Sequence, residues 1–233
     1  MINIKALASG SKGNCYYITD GHTPLLLEAG ISFKSIQKQL NFKTTSIAGC
    51  FVTHEHKDHS KSIAEVLKSG IDCYMSKGTA EALNIHHHRV HNIEAKKQFK
   101  LGTWTILPFE VEHDVSEPMG FLFANEVGDK LLFATDTYYI KYKFKGLSHI
   151  MIECNYSLDI LNQNIEVGRV PKIMKKRLLR SHFSLENVKE FLKANDLSKV
   201  QEIHLLHLSD NNSDEQRFKQ EIQALTGKLV YVL

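Results

Sequence analysis

The sequence predicts an α/β protein in which sheets are covered by helices, and three observations carry that expectation. The first half is dense in short apolar runs separated by turn residues, which is strand chemistry. The second half alternates helix-period stretches with apolar strands. Composition is globular: 233 residues, 42% hydrophobic and 24% charged, with four prolines, enough to bury a full core. Length argues for one domain spanning residues 1–233.

In chain order, Ile2–Ser9, Cys15–Thr19 and Leu25–Glu28 read as strands, divided by Gly10-Ser11-Lys12-Gly13-Asn14 and by Asp20-Gly21. A short helix over about Phe33–Leu40 leads to a strand through Gly49-Cys50-Phe51-Val52. A His-rich loop follows at once, then a helix, Ser62–Lys68, with Ile63, Val66 and Leu67 on one face and Gly70 as its stop. Strands return around Asp72–Met75, Trp104–Glu112, Gly120–Glu126 and Lys130–Ala134, with Gly128-Asp129 as a hairpin turn. After a strand at Leu147–Glu153 the chain is expected to be largely helical through Ala194, with Ser184 capping Leu185–Lys193. A strand at Glu202–Leu208 precedes a helix opened by Ser213-x-x-Gln216, a capping-box pattern, and Lys228–Val232 closes the chain.

No apolar run approaches the roughly 18 residues that a membrane span needs. The start, Met1-Ile2-Asn3-Ile4-Lys5, lacks a signal peptide's layout, so no membrane association is expected. Cys15, Cys50, Cys73 and Cys154 form no C-x-x-C pair and read as reduced thiols of a cytoplasmic protein. The net charge of +3 decides little by itself, whereas thirteen histidines direct the search to metal or proton chemistry.

Thr53-His54-Glu55-His56-Lys57-Asp58-His59 places His54, His56, Asp58 and His59 within six residues, between a buried strand and a helix. Imidazole nitrogen and carboxylate oxygen suit zinc, manganese or iron. A solvated, charged helix start is the plain alternative, and the density and order of ligand types argue against it. Further ligands must come from distant strand ends. His113-Asp114 follows Trp104–Val111, Asp136 follows Leu131–Thr135, and His207 follows Ile203–Leu206. Each alone is weak, since a single His is more often a satisfied core or surface residue and an Asp after a strand is commonly a turn former.

T-H-E-H-K-D-H with these spaced His, Asp and His residues resembles the metallo-β-lactamase fold superfamily over essentially the whole chain. Gly10-Ser11-Lys12-Gly13-Asn14, His113-Asp114-x-x-Glu117-Pro118-x-Gly120, Ala134-Thr135-Asp136-Thr137 and His207-Leu208-Ser209 look like its YycJ (WalJ) subgroup. The resemblance implies a four-layer αββα sandwich with two divalent ions, zinc by default. His54, His56 and His113 would hold one ion, Asp58, His59 and His207 the other, with Asp136 bridging. The segment that normally reads Asp-Ala-Gly is Glu28-Ala29-Gly30 here, so a carboxylate that supports the metal loop carries an extra methylene. Asp136 and His207 stand about seventy positions apart, which leaves no space for the inserted domain of β-CASP nucleases.

Two ions sharing a water can hold it as a bridging hydroxide and neutralise a developing oxyanion, with Asp58 among the catalytic groups. The leaving group still needs a proton. His182, in Arg180-Ser181-His182-Phe183-Ser184, is the candidate donor, and it resembles the S-H-x-[ST] segment of tRNase Z-like phosphodiesterases. Placed before a helix, an imidazolium is electrostatically unfavourable unless a phosphate or carboxylate is near, and a His with no task is the alternative.

For the substrate, Lys141, Lys143, Lys145, Arg169, Lys172, Lys175, Lys176, Arg177 and Arg180 face only Glu153, Asp159 and Glu166 between Tyr138 and Arg180. Tyr138, Tyr139, Tyr142 and Phe144 interleave with the first lysines. Cations for phosphates and rings for bases make a nucleic-acid groove, with a solvated helix face as the alternative. Lys141, Lys143, Lys176, Arg177 and Arg180 are its candidate contacts. Gly10, Ser11 and Asn14 are candidates for a phosphate-facing turn at the site rim. His86-His87-His88 with His91 reads as a surface segment that no carboxylate organises. The leading expectation is a nuclease acting on DNA or RNA; a thioesterase or lactonase of glyoxalase II type is the runner-up, and a binding module with a weak site is the third.

Overall fold

The computed structural model describes residues Met1 to Leu233. The chain forms two compact units, one of Met1–Glu110 with Val115–Asp129 and one of Val111–Asp114 with Lys130–Leu233.

The first unit opens with β1 (Asn3–Ala8), β2 (Cys15–Thr19) and β3 (Leu25–Leu27), an antiparallel run. It continues in parallel through β4 (Gly49–Phe51), β5 (Cys73–Met75) and β6 (Val90–Asn92), giving the order β1-β2-β3-β4-β5-β6. Edge strand β1 is partly exposed, whereas every residue of β3, β4 and β5 is buried, as parallel strands covered on both faces require. Helices supply the crossovers: α1 (Phe33–Gln39), α2 (Lys57–Ser60) with α3 (Ile63–Lys68), and α4 (Lys77–Ala82). Ser32 and Ser76 cap α1 and α4 by accepting the N–H of Ser35 and Thr79. Ile36, Val52, Ile63, Val66 and Met75 belong to the core so formed. An antiparallel ladder of β7 (Phe99–Leu101), β8 (Trp104–Glu110) and β9 (Met119–Asn125) completes the unit. Phe51 of β4 meets it edge-on, 5.4 Å from Phe121 and 5.3 Å from Phe123.

The second unit is a parallel array of β10 (Lys130–Ala134), β11 (His149–Glu153), β12 (Glu202–Leu206) and β13 (Leu229–Val232). Its helices are α5 (Leu158–Glu166), α6 (Lys172–Ser181), α7 (Leu185–Ala194) and α8 (Glu215–Thr226). Helix α7 buries Leu185, Val188, Phe191 and Leu192 at helical spacing, and α8 buries Phe218 and Ile222. Helix α6 buries only Ser181.

Several expectations shift. The stretch expected to be largely helical divides into three helices, broken at Gly168 and restarted at Pro171, the N-cap of α6. The last helix is capped by Asp214, whose Oδ1 accepts the Arg217 N–H at 2.9 Å; the Ser213 hydroxyl turns back to the Ser209 carbonyl. Helix α4 and strands β6 and β7 are new, because their six- and three-residue lengths carry too little periodicity to read. The His86–His91 segment also needs correction. A carboxylate does organise it: Asp72 accepts from Arg89 at 2.9 Å and lies 3.4 Å from His91, which stacks on Tyr74 inside β6. No three ligand atoms converge there, in keeping with a surface segment. No helix is long and apolar enough to cross a membrane.

Candidate metal centre

In the first unit the His-rich loop leaves the buried end of β4 and winds into the single turn α2, so His54, His56, Asp58 and His59 point from one short stretch. The His54 and His59 ring centroids are 4.3 Å apart. His54 Nδ1 lies 2.9 Å from the Thr53 hydroxyl, which leaves Nε2 to face His56 Nδ1 at 3.0 Å. At that distance the two imidazole nitrogens can share an N–H···N hydrogen bond or, both deprotonated, be aimed at one cation. For zinc–nitrogen bonds of about 2.0–2.1 Å, two tetrahedral ligands sit roughly 3.3 Å apart. The donor set therefore fits a divalent ion.

A backbone cradle fixes this loop. Ala29 N–H donates to the His59 carbonyl at 2.7 Å, Asn14 N–H to the Asp58 carbonyl at 2.7 Å, and Ser62 N–H to the Ala29 carbonyl at 2.9 Å. Gly30 fits because it lacks a side chain: a Cβ there would stand 1.6 Å from the Asp58 carbonyl oxygen. Glu28, fully buried with a left-handed φ of 64°, accepts the Thr53 N–H at 3.3 Å and lies 3.7 Å from His59 Nδ1. Burial pushes its carboxyl above the ordinary range, against the opposing pull of His59 and Thr53. Asn14 is also buried, and its Nδ2 sits 3.1 Å from His59 Nε2. The N–H groups of Gly10, Gly13 and Asn14 are taken by Asn14, Gly10 and Asp58 in turn. What this segment is seen to hold is the His loop; Ser11 stays exposed beside it.

In the second unit His113, Asp136, His182 and His207 come together. Asp136 and His207 follow β10 and β12 with left-handed φ values of 46° and 52°, unusual for non-glycine residues and typical of sites where strain aims a side chain. His207 Nδ1 is 2.5 Å from one Asp136 oxygen, while His113 Nε2 is 3.8 Å from the other. His113 Nδ1 donates to the Ser181 carbonyl at 2.9 Å, which turns Nε2 toward Asp136. Thr137 ties the two segments, its hydroxyl accepting the Glu112 N–H at 3.0 Å. Asn155, from the turn after β11, donates to the His207 carbonyl at 2.8 Å and holds its backbone. Partial burial works to raise the Asp114 pKa, but Ser181, His113 and Arg177 outweigh it and hold the carboxyl low.

His182 terminates α6 and does not open a helix; it precedes Ser184, the cap of α7. The carboxylate that its position called for is Glu153, which the sequence showed only as one acidic residue in a basic stretch. Glu153 is fully buried at the end of β11. Its Oε1 meets His182 Nδ1 at 2.5 Å, and its Oε2 accepts the N–H groups of Thr137 at 3.0 Å and Phe183 at 3.1 Å. Donor atoms of Asp136, Glu153, His182 and His207 lie within 4.8 Å of one another. A charged residue ending the apolar run Ile150-Met151-Ile152 is the available signal. Of the candidate substrate contacts, Lys141 and Lys143 rim a cavity beyond Asp136, while Lys176, Arg177 and Arg180 stand exposed on α6.

Against known proteins, residues 23–205 match the family described as the beta-lactamase superfamily domain. The chain is 31% identical to exodeoxyribonuclease YycJ of Bacillus anthracis, over 92% of this chain and 85% of that one. It is 29% identical to exodeoxyribonuclease WalJ of Streptococcus pneumoniae serotype 2 strain D39, over 89% and 81%. Among solved structures it resembles the metallo-beta-lactamase fold protein YhfI of Bacillus subtilis, with TM-score 0.76, 13% identity, and coverage of 100% of this chain and 97% of that one. That likeness, with the mixed helix and sheet content, shows the metallo-β-lactamase fold class expected from the sequence. By family match and by relatives of near-equal extent, the chain belongs to the beta-lactamase superfamily, in the company of the YycJ proteins.

Proposed function

We propose that the chain is a dinuclear metal-dependent nuclease that hydrolyses phosphodiester bonds of DNA or RNA. The observation that carries the reading is His182 held by the buried Glu153 beside Asp136 and His207, because a phosphodiester leaving oxygen needs a proton and this pair positions one. The names of the curated relatives, exodeoxyribonucleases matched over most of both chains, support it.

In this reading His54, His56 and His113 would hold one ion and Asp58, His59 and His207 the other, with Asp136 shared, all within one domain of residues 1–233. His and Asp donors accept zinc, the default, or manganese or iron. When bound, the two ions would activate a water and neutralise charge on the phosphoryl oxygens. The chain's own groups do the rest. The Ser181 carbonyl accepts from His113 Nδ1 and so fixes that tautomer with Nε2 free as a ligand, while the Thr53 hydroxyl engages His54 Nδ1 and leaves that ring's Nε2 for the ion. Glu153 accepts from His182 Nδ1, so Nε2 is the atom that passes a proton to the departing oxygen. The lysines and arginines beyond Asp136 engage the flanking phosphates. Four free, buried cysteines agree with a cytoplasmic location.

The test sets metal-loaded protein against labelled single- and double-stranded DNA and RNA, alongside a thioester and a lactone, with Asp58→Ala as control. Nucleic-acid cleavage that disappears in Asp58→Ala is expected. Cleavage of the thioester or lactone alone would overturn the reading in favour of a glyoxalase II-type activity.

A further inference from the structure

Beyond Asp136 the chain turns through Tyr138–Lys143 and, with Phe183 and one side of α7, encloses a cavity of about 490 Å³. Its floor is apolar, with Ile140, Phe183 and Phe191 all buried. Tyr138, Tyr139 and Tyr142 also line it, and Tyr139 keeps 54% of its surface exposed. Lys141 and Lys143 stand exposed at the mouth, and the Lys141 ammonium lies 5.4 Å from the centre of the Tyr142 ring. Glu190 at the same mouth pairs with Lys193 at 2.8 Å, so the charge left for a ligand is cationic. Rings arranged around an open volume forgo the close packing that a core would give them.

The cavity is tied to the candidate centre by one carboxylate. Glu153 holds His182 with Oε1, and with Oε2 it holds the N–H of Thr137, next to Tyr138, and of Phe183. Both walls therefore spring from residues adjoining Asp136 and His182. The occupant must be flat and aromatic to use the tyrosine faces, and must carry anions outside the cavity to use the lysines. An acyl chain or an apolar peptide side chain meets only the floor. Asn187, exposed at the rim, donates its Nδ2 to the Tyr138 carbonyl at 3.3 Å and keeps its amide oxygen as an acceptor for a base edge.

We propose that this cavity is a nucleobase pocket, which takes one unstacked base next to the cleaved phosphodiester while Lys141 and Lys143 engage the flanking phosphates; the proposal rests on the nuclease reading. A base enters only after leaving its stack, so the pocket favours single strands and frayed ends over intact duplex.

The test uses the full chain loaded with zinc or manganese and phosphorothioate single-stranded oligonucleotides that resist hydrolysis. One carries fluorescent 2-aminopurine, and a second of equal length is abasic at the same position. Binding is expected to quench the fluorophore and to be about tenfold tighter for the base-bearing strand. Tyr139→Ala and Tyr142→Ala should each remove most of that difference, while Tyr139→Phe, which keeps the ring, should bind as the parent protein does. Equal affinity for the two strands, or alanine variants that still discriminate, overturns the pocket and leaves the nuclease reading standing if ordinary oligonucleotides are cleaved. Failure to bind or cleave any nucleic acid overturns both.

Discussion

A fully buried carboxylate is costly unless both oxygens are hydrogen-bonded, and Glu153 meets that condition through one imidazole and two backbone N–H groups. His182 is the partial exception to this burial, its side chain keeping 18% exposure, as the proposed proton-donor role requires. His182→Ala is expected to lower turnover on oligonucleotides by roughly a hundredfold or more while leaving metal content unchanged. Metal analysis beside steady-state kinetics checks this. On a diester with a nitrophenolate leaving group, which departs without a proton, the loss should shrink. A His182→Ala protein with unaltered turnover would end the proton-donor role. Glu153→Gln keeps the shape and removes the charge, so it should slow oligonucleotide cleavage less than His182→Ala does. Gly30 poses a steric test at the His-rich loop. Gly30→Ala places a methyl group 1.6 Å from the Asp58 carbonyl, and the chain must move to admit it. A loss of about 3 kcal/mol or more is expected, with fewer ions bound per chain, as denaturant unfolding and metal analysis would show.

Among the elements, α6 is the least committed to the interior, burying Ser181 while Ile173 is 83% exposed. Lys172, Lys176 and Arg180 recur every four residues along it, so their charges repeat at about 6 Å of helix rise, and the helix ends at His182. A basic stripe running toward the proton donor suits a single strand led to the centre. Lys176→Ala and Arg180→Ala should each weaken binding on any sequence, and each should flatten the log–log salt dependence by about 0.7. Titrations at several salt concentrations measure both; unchanged slopes would make α6 an ordinary solvated helix. Legibility in the sequence follows the same scale. The His-rich loop is readable because four candidate ligands in six residues have no cheaper explanation. The strands holding Leu25–Leu27 and Lys130–Ala134 were readable from apolar runs bounded by turns. Glu153 was not, since a glutamate ending a strand looks the same whether it meets water or a buried imidazole. Asn14 read as turn chemistry, and only the fold shows its side chain against His59. Helix α4 buries just Thr79 and Ala80, so no apolar stripe announced it.

For the molecule as a whole, the proposed ligands come from stretches far apart in sequence, His54, His56, Asp58 and His59 from one loop and His113, Asp136 and His207 from three later ones. Ions held by such a set bind the folded chain and not the unfolded one, so their affinity adds directly to stability. An ion present at a hundred times its Kd contributes about 2.7 kcal/mol. For a chain of this length that corresponds to roughly 5–10 °C in Tm per ion. Chelation should therefore abolish nuclease activity and lower Tm by about 10–20 °C if two ions are bound, and readdition of zinc or manganese should restore both. Asp136→Asn is the discriminating variant, because an amide in place of the proposed shared carboxylate would remove its charge toward the two cations. It should bind fewer ions and show a smaller Tm shift on chelation, while its chelated form melts close to the chelated parent. Scanning calorimetry with metal analysis decides the matter: a parent chain that binds no ions, or whose Tm ignores chelation, would refute the two-ion centre whatever its activity.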